Sequence, residues 1–161
     1  MNSMLQPRAT IAFPSRAFFA ALAQLMNANR ARHEQLGYID CVAVFTVTDG
    51  AGDGGARHFR VTFDEFAAVD VSEVDPEEAA AADFALAGTR ETWRTMLESI
   101  VVGQGRPALN QTLNRLSHMG TPLRLVAADP LKADLYFRYN QSLQEFINAA
   151  AALDIDFESA G

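Results

Sequence analysis

A change of apolar period within residues 83–147 constrains this chain more than any other feature. Asp83-Phe84-Ala85-Leu86 opens as a short extended run. Gly88-Thr89 then turns the pattern helical, with Trp93, Met96, Leu97 and Ile100 recurring at i, i+3, i+4 and i+7. Gly103 and Gly105 break that helix, and Pro107 is placed to open another carrying Leu109, Leu113 and Leu116. Leu123-Arg124-Leu125-Val126 returns to the extended pattern. Asp129-Pro130 then offers N-cap and N1 chemistry for a last helix, along which Tyr136, Tyr139, Leu143, Phe146, Ile147 and Ala150 recur, with one break near residues 138–140. Bulky side chains spent this way either fill a core or enclose an apolar ligand. Periodicity alone favours the core.

Upstream, Pro14-Ser15 reads as a helix start with Ser15 as N-cap. Phe18, Phe19, Leu22, Leu25 and Met26 form one apolar face, and Gly37 is the stop. Residues 39–47 are rich in β-branched and aromatic side chains and read as a strand. The glycine-rich run at 50–55 lacks the Lys-Ser/Thr ending of a phosphate loop and the spacing of a dinucleotide fingerprint, so it reads as a hairpin turn. In the strand beyond it, His58, Arg60 and Thr62 alternate with Phe59, Val61 and Phe63. Residues 66–71 give a third strand, and Asp75-Pro76-Glu77-Glu78 an acidic helix start. The order is helix, three strands, a fourth strand, two helices, strand, helix. It describes an α/β or α+β layer with helices over one side of a small sheet. Residues 1–12 read as a loose leader, 13–155 as a single domain and 156–161 as a tail.

With 161 residues the chain is long enough to bury a core without staples. Its single cysteine, Cys41, lies in an apolar strand and reads as a buried apolar residue of a protein in a reducing, cytoplasmic compartment. A net charge of −7 argues against nucleic acid as a partner, since binding it requires clustered positive charge. The thirteen basic residues are all Arg except Lys132, which we read as a bias of a bacterial source genome. Residues 1–33 hold Arg8, Arg16, Arg30 and Arg32 and no acid. That is the pattern of a first helix, and also of a transit peptide or of a helix in transient contact with a membrane surface. Residues 64–83 hold eight acids and no base, and read as a solvated surface.

A search for chemistry returns little. His33, His58 and His118 lack ligand spacing and read as surface residues; with one cysteine there is no structural zinc set, and no metal or cofactor is expected. No serine is bracketed by glycines as in a nucleophile elbow. Asp129 and Asp134 are near one another, but Asp129 already serves as a cap. No catalytic residue is expected. The amides of Asn110, Gln111 and Asn114 are either ordinary solvent exposure or a polar group at the mouth of a pocket.

From about Ala80 to Ala150 the chain resembles the sterol carrier protein type 2 family. The likeness is carried by Ala82-Asp83-Phe84-Ala85-Leu86-Ala87-Gly88 and the Trp-bearing helix Trp93-Arg94-Thr95-Met96-Leu97. It continues in Arg106-Pro107-Ala108-Leu109, the strand 122–129 and the apolar terminal helix. It departs where the family carries Gly-Lys-Leu before its last strand and this chain has Gly120-Thr121-Pro122. The resemblance implies a small five-stranded mixed sheet covered by helices, a hydrophobic tunnel between them, and non-catalytic binding or transfer of a lipid-like small molecule: fatty acyl, sterol or isoprenoid. The expected lining is Trp93, Met96, Leu97, Ile100, Leu109, Leu113, Tyr139, Leu143, Phe146 and Ile147. The alternative is an accessory or interaction module of the same fold with a collapsed pocket, as in lipid or quinone pathways.

Overall fold

The computed structural model describes residues 10–49, 55–118 and 122–159. Strand β1 (Thr10–Ala12) leads into α1 (Arg16–Ala28) and α2 (Arg30–Leu36). Three strands follow: β2 (Cys41–Val47), β3 (Arg57–Asp64) and β4 (Ala67–Val74). A short α3 (Pro76–Ala80), β5 (Phe84–Gly88) and α4 (Arg90–Val102) come next. After a 3-10 turn at Leu109–Gln111 the chain forms α5 (Leu113–Ser117), β6 (Arg124–Val126), α6 (Pro130–Arg138) and α7 (Asn140–Asn148). It ends in a 3-10 turn at Ala149–Ala152 and β7 (Asp154–Asp156). The main sheet has the order β4-β3-β2-β5-β6. Strand β2 runs antiparallel to β3 and parallel to β5, so the sheet is mixed and the fold is α+β.

Local chemistry sets the element boundaries. The Ser15 side chain accepts a hydrogen bond from the Phe18 N–H at 3.0 Å and starts α1. Asp75 and Glu78 form a reciprocal capping box on α3, and Thr89 and Asp129 cap α4 and α6 through Thr92 N and Lys132 N. The first helical run is interrupted at Asn29 and the last at Tyr139, both with non-helical backbone angles. The second interruption lies where the sequence placed it. The first does not, because nothing in the apolar spacing marks Asn29.

Three expectations change. Residues 10–12 are not loose: β1 pairs in parallel with β7, and the Phe13 N–H donates to the Asp156 carbonyl at 2.9 Å. The fold therefore takes in the first and last described segments together. Pro107 does not open one continuous helix, since Thr112 caps α5 through Arg115 N and the chain before it makes only the 3-10 turn. The third strand runs on to Val74, past the expected end at Val71. The hairpin turn expected at 50–55 lies largely outside the described residues; the strands on either side of it pair from Val47–Arg57 to Cys41–Phe63.

The sheet alternates as its period requires. Cys41, Ala43, Phe45, Val47, Phe59, Val61, Phe63, Phe84 and Leu86 face the helices, and with side chains of α1, α4, α5 and α7 they form one buried cluster. Aromatic rings bind the layers: Phe19 stacks on Phe45 and Phe59 at 5.3 and 5.0 Å, and Phe146 packs on Phe45 and Phe63 at 5.9 and 5.1 Å. Trp93 donates its indole N–H to the Thr46 carbonyl at 2.9 Å, fixing α4 to the central strand. On the opposite face α3 is held near β3 by Arg60 and Glu78, 3.9 Å apart.

Candidate functional site

The sequence after α4 dictates a tight turn. A Cβ on Gly103 would lie 1.9 Å from the Arg106 carbonyl oxygen, a position no side chain can share. Gln104 and Gly105 both take positive φ, 54° and 95°, and the Gly105 N–H returns to the Ile100 carbonyl at 2.9 Å. The turn throws residues 104–112 outward across the end of the helical layer. A groove of about 1000 Å³ opens between this segment, the end of α1, the start of α2, and α7.

Leu25, Met26, Ala28, Pro107, Ala149 and Ala152 give the groove an apolar part. Asn29, Arg32, His33, Gln104, Arg106, Thr112, Gln144, Glu145 and Asn148 give it a polar one. Gln144 organises the α7 side. Its Oε1 accepts from the Leu113 N–H at 2.7 Å, satisfying a free donor at the start of α5, and its Nε2 donates to Asn148 Oδ1 at 2.8 Å. Arg32 and Glu145 pair across the groove at 3.6 Å. Sequence reasoning left His33 on the surface, yet it is only 2% exposed, because the α2–α7 contact closes over it. Burial pushes its imidazole below the ordinary value, against the opposing pull of Glu145, and so favours the uncharged ring.

The ten expected lining residues divide sharply. Trp93, Met96, Leu97, Ile100, Leu113, Leu143, Phe146 and Ile147 are brought together in the closed interior, each at most 1% exposed. Tyr139 is half-buried and lines a smaller hollow of about 400 Å³ with Tyr38 and Phe137. Leu109 is 89% exposed, because the 3-10 turn points it away from the interior that a continuous helix would have faced. None of the ten lies on the large groove, although α7 contributes Leu143, Phe146 and Ile147 to the core and Gln144, Glu145 and Asn148 to the groove. Of the three amides singled out in sequence, Asn114 lines the hollow beside Tyr139. A third hollow, about 350 Å³, lies on the outer face of the sheet between α3 and β6 and is lined largely by alanines.

Groups with reactive potential are occupied structurally. Cys41 is buried and its thiol is pushed up to about 12, first by burial and then by Asp83 and Asp40, which removes the thiolate at neutral pH. His58 shares a 2.9 Å hydrogen bond with Thr46, and Tyr136 one of 2.8 Å with Ser117. Among the described residues no group of three or more His, Cys, Asp or Glu side chains converges as a metal site, and no helix is long and apolar enough to cross a membrane.

No protein-family model matches this sequence, and no curated protein matches it. Solved structures do. A conserved hypothetical protein from Thermus thermophilus, described as a candidate sterol carrier protein, superposes with a TM-score of 0.62 at 18% identity, covering 97% of this chain and 99% of its own. The crystal structure of sterol carrier protein 2 superposes with a TM-score of 0.63 at 20% identity, covering 86% and 97%. At such identities the likeness is one of architecture, and the five-stranded mixed sheet under its helices is the sterol carrier protein 2 fold.

Proposed function

We propose that the protein is a non-catalytic, cytoplasmic binder or carrier of a lipid-like amphiphile. The observation that carries this reading is the groove of about 1000 Å³, part apolar and part polar, at the open end of a sterol-carrier-type helical layer. Its volume is at the upper end of the range for drug-sized ligands, about 300–1,000 Å³. Affinity comes from apolar surface removed from water, at about 25 cal/mol per Å². The polar groups of α2 and α7 set orientation. In this reading the ligand's apolar part reaches between α7 and the 104–112 segment towards Ile100, Leu113, Leu143, Phe146 and Ile147. Met96, Leu97 and Trp93 lie behind them, and Tyr139 and Leu109 lie at the outer margin.

The decisive experiment is mass spectrometry of organic extracts from purified protein, combined with displacement of a fluorescent fatty acid. Co-purified lipid or saturable displacement is expected. The absence of both would overturn the reading.

One observation favours a second reading, an interaction module with a filled interior. The core is closed by stacked rings, while Val102, Leu109, Leu131 and Phe137 are all more than half exposed. Failure of lipid binding together with a stable protein complex would select it.

A further inference from the structure

Among the described residues, His33 is the one buried polar group on the groove that the fold leaves unsatisfied. Its Nδ1 is shut away from solvent and has no hydrogen-bond partner, while the residue contributes to the groove wall. Unpaired buried donors are rarer in folded proteins than under-used acceptors, so the sealed nitrogen is better accommodated as the bare acceptor. We assign the ring proton to Nε2 on that ground, which makes the uncharged imidazole a donor. Around it stand Arg32, already engaged with Glu145, and Arg106, which is exposed and has no ion-pair partner among the described residues. A neutral donor beside an unengaged guanidinium suits an oxygen acceptor and repels a cation. Leu25, Met26 and Ala149 give the same groove its apolar side.

We infer that His33 is the specificity-determining residue of the groove, donating a hydrogen bond to the oxygen head of an amphiphile, a carboxylate above all, whose apolar part passes Leu25, Met26 and Ala149 and continues between α7 and the 104–112 segment. This inference rests on the lipid-binding reading above and assigns the head-group end of that site. His33 selects the ligand by its head, whereas the apolar wall selects only by size and shape.

The test compares three probes sharing one twelve-carbon chain, dodecanoate, dodecanol and dodecyltrimethylammonium, below their micelle concentrations, by calorimetry on the full chain. Wild type should bind dodecanoate most tightly and the cation most weakly. His33→Phe keeps a planar aromatic ring but removes the donor, and should weaken dodecanoate about tenfold, the effect of one hydrogen bond to a charged group, while leaving the cation within about twofold. His33→Gln, which restores an N–H donor, should recover most of the loss. Ala28→Trp, a change at an exposed position on the groove wall, should weaken all three probes together. Unchanged dodecanoate binding in His33→Phe, or equal losses for all three heads, would overturn the inference and leave the lipid-binding reading standing. No binding of any probe to wild type would overturn both. Should His33→Phe fail to fold, His33→Leu takes its place as the donor-free variant, and a carboxylate preference that survives in it but is lost in Arg106→Gln would overturn the inference by moving the selectivity to Arg106.

Discussion

Phe146 is the side chain through which α7 is fixed to the sheet, and its truncation gives the sharpest test of the packing. The ring has no exposed surface, stacks on Phe45 of β2 and meets Phe63 of β3 edge-on. Phe146→Ala removes the buried ring and leaves a cavity that neighbouring aromatics on a rigid sheet cannot collapse to fill. The expected loss is about 3–5 kcal/mol. A domain of ordinary stability, about 5–15 kcal/mol, remains folded but with little margin. Trp93 is the sole tryptophan and is buried within the same cluster, so its fluorescence reports urea unfolding directly. With a urea slope of about 2 kcal/mol/M the midpoint should fall by about 1.5–2.5 M. A loss below about 1 kcal/mol, the scale of an ordinary substitution, would mean that α7 does not seat on β2 and β3.

A second arm of the same experiment addresses function. A ligand that binds only the folded state stabilises it by about 2.7 kcal/mol at a hundred times its dissociation constant. If the ligand's tail packs against Phe146, the cavity accepts more of it, and dodecanoate should stabilise Phe146→Ala more than wild type. Equal stabilisation would confine the ligand to the outer groove.

Other outcomes follow from single features of the structure. Cys41, with its thiol raised to about 12, should resist iodoacetamide at pH 8 in the native protein and react fully in urea; rapid native labelling would contradict its burial. The Arg57 guanidinium, bonded to Glu73 at 2.7 and 2.8 Å, holds the Glu73 carboxyl below its usual range, so the pair stabilises the fold above the unfolded glutamate value and loses that contribution as pH falls through the lower folded value. Glu73→Gln should therefore be less stable than wild type at pH 7, with the difference closing as pH drops below about 4.3, and a gap independent of pH would refute the linkage. Gly103→Ala forces a Cβ against the Arg106 carbonyl; it should cost about 1–3 kcal/mol in thermal unfolding and weaken dodecanoate binding by displacing the 104–107 wall. Retention of both stability and binding would show that this turn does not position the groove.

The sequence disclosed what is local. Ser15, Asp75, Thr89 and Asp129 each cap a helix through a bond to the residue three positions on, and the two glycines after α4 mark its end. The helix faces were legible too, because Trp93, Met96, Leu97 and Ile100 obey a period that only a buried face requires. The pairing of β1 with β7 was not. Each strand is three residues long and too short to show alternation, and Thr10 meets Asp154 across nearly the whole chain. Leu109 was misassigned because apolar spacing cannot distinguish a helix from a 3-10 turn that rotates the side chain outward. The groove was missed for a related reason: much of its polar wall is the outer faces of α2 and α7, and periodicity marks polar faces as solvent. The one available signal was Gly103-Gln104-Gly105, a turn too tight to be a simple helix end, with Arg106 directly after it.

The closed interior and the open groove are consistent with one another once the forces on the two sides of α7 are weighed. On the sheet side α7 is held by Leu143, Phe146 and Ile147, each fully buried and each contributing about 1.5–3 kcal/mol through apolar burial. On the groove side it is held to α5 by one neutral hydrogen bond from Leu113 to Gln144, about 0.5–1.5 kcal/mol net. The Arg32–Glu145 pair that ties it to α2 is partly exposed, the class worth about 0–1 kcal/mol. The weaker of these ties therefore lie on the groove side of α7, towards α5 and α2, and not between α7 and the sheet. On the proposed reading, an amphiphile with its head near His33 would meet that side of α7 with its tail, and the apolar side chains behind it, Ile100 and Leu113 first, are those whose periodicity dominated the sequence. In that reading the stripes that build the core would also be the surface that a ligand uncovers, and the polar backs of the same helices would decide which ligand does so.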